Sequence, residues 1–174
     1  MHPQLLKIAL RIEGLIDFTG KATSYVALAI VGLVAINVLL RYSMSIGSVW
    51  AQELEWHLLA ALILFGMSYA LLRGDNVRVD LFYGNYSPKT KYRVDILSAV
   101  LTIIVALLFV YLSFAYVVQS YSIGEMSPDP GGIPFRWIVK GLIPIGFVLL
   151  ALQGLGELCR VIIKQPSSKG NSHV

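Results

Sequence analysis

The residues with the clearest chemical potential are two glutamates and a histidine at the start of an apolar stretch: Glu53, Glu55 and His57. A helix advances by about 100° per residue, so Glu53 and His57 share a face, while Glu55 points about 200° away from Glu53. A carboxylate in a membrane span can act as a proton or ion site, but facing lipid is costly for it. The spacing therefore predicts that at least one of these glutamates meets water or another protein surface.

Arg41 is the cation that we expect to pair with Glu53. Only a short link follows Arg41 before Trp50, and such a hairpin brings Arg41 and Glu53 close together. Both residues lie near the ends of their apolar runs, whereas a coupled proton site is expected deeper in the membrane. We therefore predict a structural ion pair between Arg41 and Glu53, with a functional proton site as the alternative. The roles of Glu55 and His57 stay open.

The composition indicates that the elements carrying these residues are membrane helices. Of the 174 residues, 56% are hydrophobic and 14% are charged, and the mean hydropathy of +0.71 is too high for a soluble domain of this length. The net charge of +4 comes from basic residues spread between apolar runs, which indicates membrane topology and no nucleic-acid partner. The single cysteine, Cys159, excludes an intramolecular disulfide and a metal site built from several thiolates.

The hydropathy pattern predicts an all-α membrane protein with four transmembrane helices, preceded by an N-terminal amphipathic interfacial helix. The spans cover about residues 22–41, 50–72, 94–121 and 137–163. Residues 3–20 are amphipathic and too charged to span, so we predict a helix in the cytoplasmic interface, with packing on cytoplasmic loops as the alternative. Residues 1–164 then form a single membrane domain, and residues 165–174 form a disordered cytoplasmic tail.

The distribution of basic residues predicts the orientation in the membrane. Of the 14 Lys and Arg residues, only Arg41, Arg136 and Lys140 belong to the side that carries the first and third connections. The others lie in the N-terminal segment, in the second connection and at the C-terminal end. The positive-inside rule then places both termini in the cytoplasm.

Three further groups of residues are candidates for contacts. Gly66, Ala70 and Gly74 recur every four residues and, with Trp50, form a candidate surface for helix packing or for a partner. The segment SPDPGGIPF would present Pro128, Pro130 and Pro134 as a shaped periplasmic contact surface, or would merely connect two helices. Lys7, Arg11 and Trp56 are candidates for anchoring to lipids at the interface.

The sequence lacks the residues that catalysis or a cofactor would require. It has no histidine pair within the spans for a haem, no cysteine pair for disulfide chemistry and no phosphate-binding glycine loop. We therefore predict that the protein is not an enzyme and holds no cofactor. A membrane anchor of a redox enzyme and a small dimeric exporter stay as alternatives, although the first usually needs histidines within spans and the second a membrane-embedded carboxylate.

Short motifs in a characteristic order carry a family resemblance. They are Asn37-Val38-Leu39-Leu40-Arg41-Tyr42, then Trp50, Glu53 and Leu54, then Gly66, the turn Arg73-Gly74-Asp75-Asn76-Val77-Arg78-Val79-Asp80, and finally Ile133-Pro134 and Ile143-Pro144-Ile145-Gly146. Over roughly residues 10–163, this order resembles the small membrane subunit, the DctQ-like family, of tripartite ATP-independent periplasmic (TRAP) transporters.

The resemblance implies partners and a role. A large multi-spanning subunit would carry the substrate and sodium sites, and a periplasmic solute-binding protein would deliver an organic acid or similar solute in a transient contact. This chain would be a non-catalytic scaffold in the bacterial inner membrane. It would anchor the large subunit among membrane lipids during sodium-driven uptake.

Overall fold

The computed structural model describes residues 3–75 and 83–164, and within these ranges the chain forms four long helices. They are α1 (Pro3–Met44), α2 (Val49–Arg73), α3 (Pro88–Ser122) and α4 (Trp137–Ile163). Each is long and apolar enough to cross a membrane, which confirms, for the described residues, the prediction of an all-helical fold with four helices able to span. The predicted disordered tail, residues 165–174, and the turn residues 76–80 lie outside the described ranges.

Helix α1 differs from the predicted pair of elements. The sequence predicts an interfacial helix over residues 3–20 followed by a span, but the structure has one helix of 42 residues. At about 1.5 Å per residue, it is roughly twice as long as the hydrocarbon core is thick. The charged segment belongs to the same helix as the span because no proline interrupts it and Gly20 lies within a helical turn. Its location at the membrane interface stays a prediction.

Helix α4 lies at the centre of the bundle, since it contacts each of the other three helices. Two glycines let its neighbours come close. A Cβ atom on Gly146 would lie 2.9 Å from the carbonyl oxygen of Leu64 on α2, and one on Gly154 would lie 3.0 Å from the Ile103 side chain on α3. Small residues on α4 thus replace side-chain interdigitation with close helix contact, as is typical of membrane bundles.

Helix α3 packs along a single stripe. Its buried residues are spaced by seven: Ala99, Ala106, Ser113 and Ser120. A seven-residue repeat keeps one narrow stripe facing a partner helix, which here is α4. Large apolar side chains cover the remaining surface of α3 and are exposed, among them Leu97, Leu101 and Ile104. Such a surface is suited to lipid or to another membrane subunit.

The predicted packing stripe on α2 is not a close contact within this chain. Gly66 has open space where a Cβ atom would stand, and Gly74 ends α2 in the left-handed conformation, with a φ of 72°. The close approach to α1 occurs instead at Gly20, where a Cβ atom would overlap the ring of Tyr69. Contact of the Gly66 face with a partner subunit stays a prediction.

Candidate functional site

The carboxylate of Glu53 connects α2 to the loop between α3 and α4, residues 123–136. Glu53 lies in the second turn of α2, and its side chain is only 8% exposed. It accepts hydrogen bonds from the hydroxyl of Ser127, from the backbone N–H of Ile133 at 2.5 Å and from Arg136 Nη2 at 3.2 Å. One carboxylate on a helix therefore binds three points of the loop. We call this end of the bundle the loop end.

The ion pair of Glu53 corrects the sequence prediction. Its cation is Arg136, whereas Arg41, the predicted partner, is exposed in the last turn of α1. Arg136 directly precedes α4, and α4 packs against α2, so the guanidinium reaches the side of α2 that carries Glu53. The sequence contained a signal for this pairing, because Arg136 was one of three cations assigned to the same side of the membrane as Glu53.

The α3–α4 loop holds a defined shape around the carboxylate. The Ser127 hydroxyl accepts from the backbone N–H of Asp129 at 3.2 Å, and the N–H of Gly132 donates to the Asp129 carbonyl at 3.0 Å. A Cβ atom on Gly132 would overlap Ser127 and lie 2.8 Å from Glu53 Oε2. Phe135 has a φ of 63°, a conformation that costs a non-glycine residue roughly 1–2 kcal/mol. The three prolines predicted as a contact surface, Pro128, Pro130 and Pro134, are all exposed on this loop.

A second ion pair fastens the first part of the loop to α4. The Lys140 ammonium donates to the Glu125 carboxylate and lies 3.9 Å from the centre of the Tyr116 ring. The hydrogen bond from Lys140 lowers the pKa of the Glu125 carboxyl, and partial desolvation opposes that shift. The backbone N–H of Arg136 also donates to the Glu125 carbonyl at 3.1 Å. Both ends of the loop are thereby tied to the start of α4.

Glu55 and His57 have separate partners, as the helical spacing requires. Asn37 Nδ2 on α1 donates to Glu55 Oε1 at 3.1 Å, so Glu55 faces α1 while Glu53 faces the loop. His57 Nδ1 carries a proton and donates to the backbone carbonyl of Glu53 at 2.5 Å. His57, Trp56 and Arg136 contribute to a cavity of about 250 Å³ beside Glu53. The two glutamates therefore bind different elements.

At the opposite end of the bundle, ion pairs join α1 to α4 and α2. We call it the basic end. Arg160 binds Glu13 through two hydrogen bonds of 2.6 and 2.5 Å, and Arg73 binds Asp17 at 2.6 Å. Asp17 also pairs with Lys21 at 2.5 Å. Sequence reasoning missed the pairs between helices, although opposite charges at the ends of neighbouring spans are the signal from which they could have been found.

The predicted anchoring residues lie on the surface. Lys7 and Arg11 are exposed on α1, and the exposed fractions of Trp56 and Trp50 are 73% and 49%. Contact of Lys7, Arg11 and Trp56 with lipid stays a prediction, and so does contact of Trp50 with a partner. Within residues 3–75 and 83–164, no group of three or more His, Cys, Asp or Glu residues is placed to hold a metal ion. The polar residues described above fasten helices and a loop to one another.

Comparison with known proteins gives the family. The model of the family described as tripartite ATP-independent periplasmic transporters, DctQ component, matches residues 30–164. A search of curated proteins gave no match. The matched residues include Glu53, the α3–α4 loop and the whole of α4, and they make up most of the sequence. The chain is therefore a multi-pass membrane protein that belongs to the DctQ component family of tripartite ATP-independent periplasmic transporters.

Proposed function

We propose that this chain is the non-catalytic small permease subunit of a TRAP transporter and acts as a scaffold for the large transport subunit. The transporter would carry out sodium-driven uptake of an organic acid or similar solute across the bacterial inner membrane. A periplasmic solute-binding protein would deliver that solute. In this arrangement the loop end faces the periplasm, and the basic end, with both termini, faces the cytoplasm.

The bonding of Glu53 carries the scaffold proposal. A transport site in a membrane needs a polar group that can bind and release an ion or a solute. Among the described residues, Glu53 is the acidic residue that is buried. Its carboxylate oxygens already accept hydrogen bonds from a hydroxyl, a backbone N–H and a guanidinium. These bonds support a structural role, because exchange of an ion at Glu53 would break the contacts that hold the loop.

The exposed apolar surface supports contact with another membrane protein. Large side chains on α1 and α3 are exposed along most of the bundle, including Tyr25, Leu28 and Tyr111. The open face around Gly66 on α2 would admit a helix of the large subunit at short distance. The loop that Glu53 holds would present Pro128, Pro130 and Pro134 to the binding protein, because a loop of fixed shape loses less entropy on contact.

Co-purification tests the proposal. The tagged chain, gently solubilised from its native membrane, should bring down one larger multi-spanning protein. Gly66→Leu should reduce that recovery, whereas Gly32→Leu, which changes an equally open position on α1, should not. Recovery of a homodimer without a larger partner would favour the exporter. Saturable binding of a solute to the isolated chain in calorimetry would contradict the scaffold role.

A further inference from the structure

A second cavity lies at the basic end, between the first turns of α3 and the last turns of α4. Its volume is about 460 Å³, within the range of small-molecule sites in proteins. The charged side chains of its lining are Lys91 and Asp95 from α3, and Glu157, Arg160 and Lys164 from α4 or its C-cap. Asp95 directly precedes the uncharged part of α3. The cavity therefore lies at the depth where lipid headgroups meet the hydrocarbon core.

The charged groups of this cavity differ in whether they are already paired. Arg160 is bound to Glu13 through two hydrogen bonds, and both oxygens of Asp95 accept from the Tyr83 hydroxyl at 2.8 and 3.0 Å. Within the part of the chain that the structure describes, no carboxylate forms an ion pair with Lys91 or Lys164. Lys91 Nζ donates to the Gly84 carbonyl at 3.2 Å and lies 5.4 Å from the centre of the Tyr83 ring. Neither contact neutralises the charge of Lys91, so both lysines keep a positive charge and free N–H donors for an anion.

The surroundings of the lysines favour a phosphate group that belongs to a lipid. The N-terminus of α3 borders the cavity at Pro88, and its helix dipole adds positive potential. Beyond the cavity, Leu101 and Val105 lie within about 80° of the direction of Lys91 around α3. They are 50% and 46% exposed, which offers acyl chains an apolar path. Basic pockets between transmembrane helices bind anionic headgroups in other membrane proteins.

We propose that this cavity binds the phosphate of an anionic phospholipid, with Lys91 and Lys164 as its cationic contacts. The acyl chains lie along the exposed apolar side of α3. The cavity at the loop end provides an internal contrast, because both of its cations are paired, Arg136 with Glu53 and Lys140 with Glu125. Selection for anionic lipid therefore belongs to the basic end.

Native mass spectrometry of the full chain tests the site. The chain is exchanged into micelles that contain equal amounts of phosphatidylglycerol and phosphatidylcholine, and the bound lipid is identified. The wild type should retain phosphatidylglycerol over phosphatidylcholine by about tenfold. The double variant Lys91→Gln, Lys164→Gln should lose most of this preference, and Lys91→Arg, Lys164→Arg should keep it.

Two controls decide what the result means. Lys89→Gln, Arg93→Gln removes the same charge from two exposed residues of α3 that do not line the cavity, and it should retain the preference. An equal loss in that variant would show general surface attraction and would overturn the proposal. So would the absence of a preference in the wild type. Displacement of the lipid by glycerol 3-phosphate, or binding of glycerol 3-phosphate without lipid at similar affinity, would assign the site to a soluble phosphate instead.

Discussion

The two ends of the bundle are fastened in different ways. At the loop end, one buried carboxylate, 8% exposed, binds a hydroxyl, a backbone N–H and a guanidinium from the same loop. At the basic end, the pairs join one helix to another, and their carboxylates, Asp17 and Glu13, are 29% and 20% exposed. The first arrangement fixes the shape of a loop, whereas the second fixes the position of a helix end.

This difference suits the two sides of a transporter scaffold. Buried hydrogen-bond networks specify one conformation, because each group left without a partner would be costly. Exposed ion pairs contribute less, and salt screens them. A surface that must receive a partner protein needs the first kind of bonding. A helix end that only needs to stay near its neighbours can rely on the second.

The largest effect is expected for Glu53→Gln at the loop end. The glutamine amide has the same shape as the carboxylate, but its NH₂ group is a donor and would face groups that themselves donate to Glu53 in the wild type. The substitution also removes the negative charge that pairs with Arg136. We expect the melting temperature of the purified chain to fall by about 5 °C or more. Glu55→Gln on the same helix keeps an acceptor oxygen for Asn37 and should lower it by about half as much at most.

Equal falls in melting temperature for Glu53→Gln and Glu55→Gln would mean that the bonds of Glu53 to the loop contribute no more than an ordinary polar contact. Transport by the assembled system gives a second measurement. If Glu53 is structural, uptake should fall in proportion to the amount of assembled transporter. A Glu53→Gln transporter that is present at normal levels and has lost only its ion dependence would contradict the structural role.

The sequence predicted the features of the fold that depend on local pattern. The four spans follow from length and hydropathy, and the different directions of Glu53 and Glu55 follow from the helical period alone. It did not predict that Arg136 pairs with Glu53, because that contact depends on which side of α2 packs against α4. The close approaches at Gly20 and Gly146 depend on the same long-range packing.

The continuity of α1 from residue 3 to residue 44 was not predicted, for a related reason. Residues 3–20 carry charges and the span that follows does not, so composition alone predicts two separate elements. The backbone needs only uninterrupted helical residues to continue, and the ion pairs of Glu13 and Asp17 with α4 and α2 hold the charged segment against the bundle. These partners lie far away in the sequence, so the hydropathy of residues 3–20 alone could not reveal them.

A smaller effect is expected for Glu13→Gln at the basic end. This variant leaves Arg160 without its partner, but water can solvate the guanidinium. The loss should be about 0–1 kcal/mol, or a fall of roughly 1–3 °C in melting temperature. Raising sodium chloride from about 0.05 M to about 0.5 M should shrink this difference, because the Debye length falls. The difference caused by Glu53→Gln should persist.

The exposed loop residue Asp129 provides the control for net charge. Asp129→Asn also removes one negative charge, but Asp129 forms no ion pair within the described part of the chain. It should leave the melting temperature nearly unchanged at both salt concentrations. If Glu13→Gln proved as costly as Glu53→Gln and as insensitive to salt, the two ends would be equivalent, and the comparison would fail.

The smallest effect concerns the pH dependence of the loop end. The hydrogen bond from Lys140 lowers the pKa of the Glu125 carboxyl below its usual value of 4.5. A lowered folded-state pKa means that folding favours the carboxylate, so its contribution is complete above the unfolded pKa and is lost as the pH falls through the folded one. The wild type and Glu125→Gln should therefore differ by a constant amount between about pH 7 and about pH 5 and converge as the pH falls below the lowered pKa of Glu125. Melting curves across this range measure the difference. A difference that instead grew on acidification would mean that protonated Glu125 stabilises the loop, and Lys140 would then not be the partner that holds it.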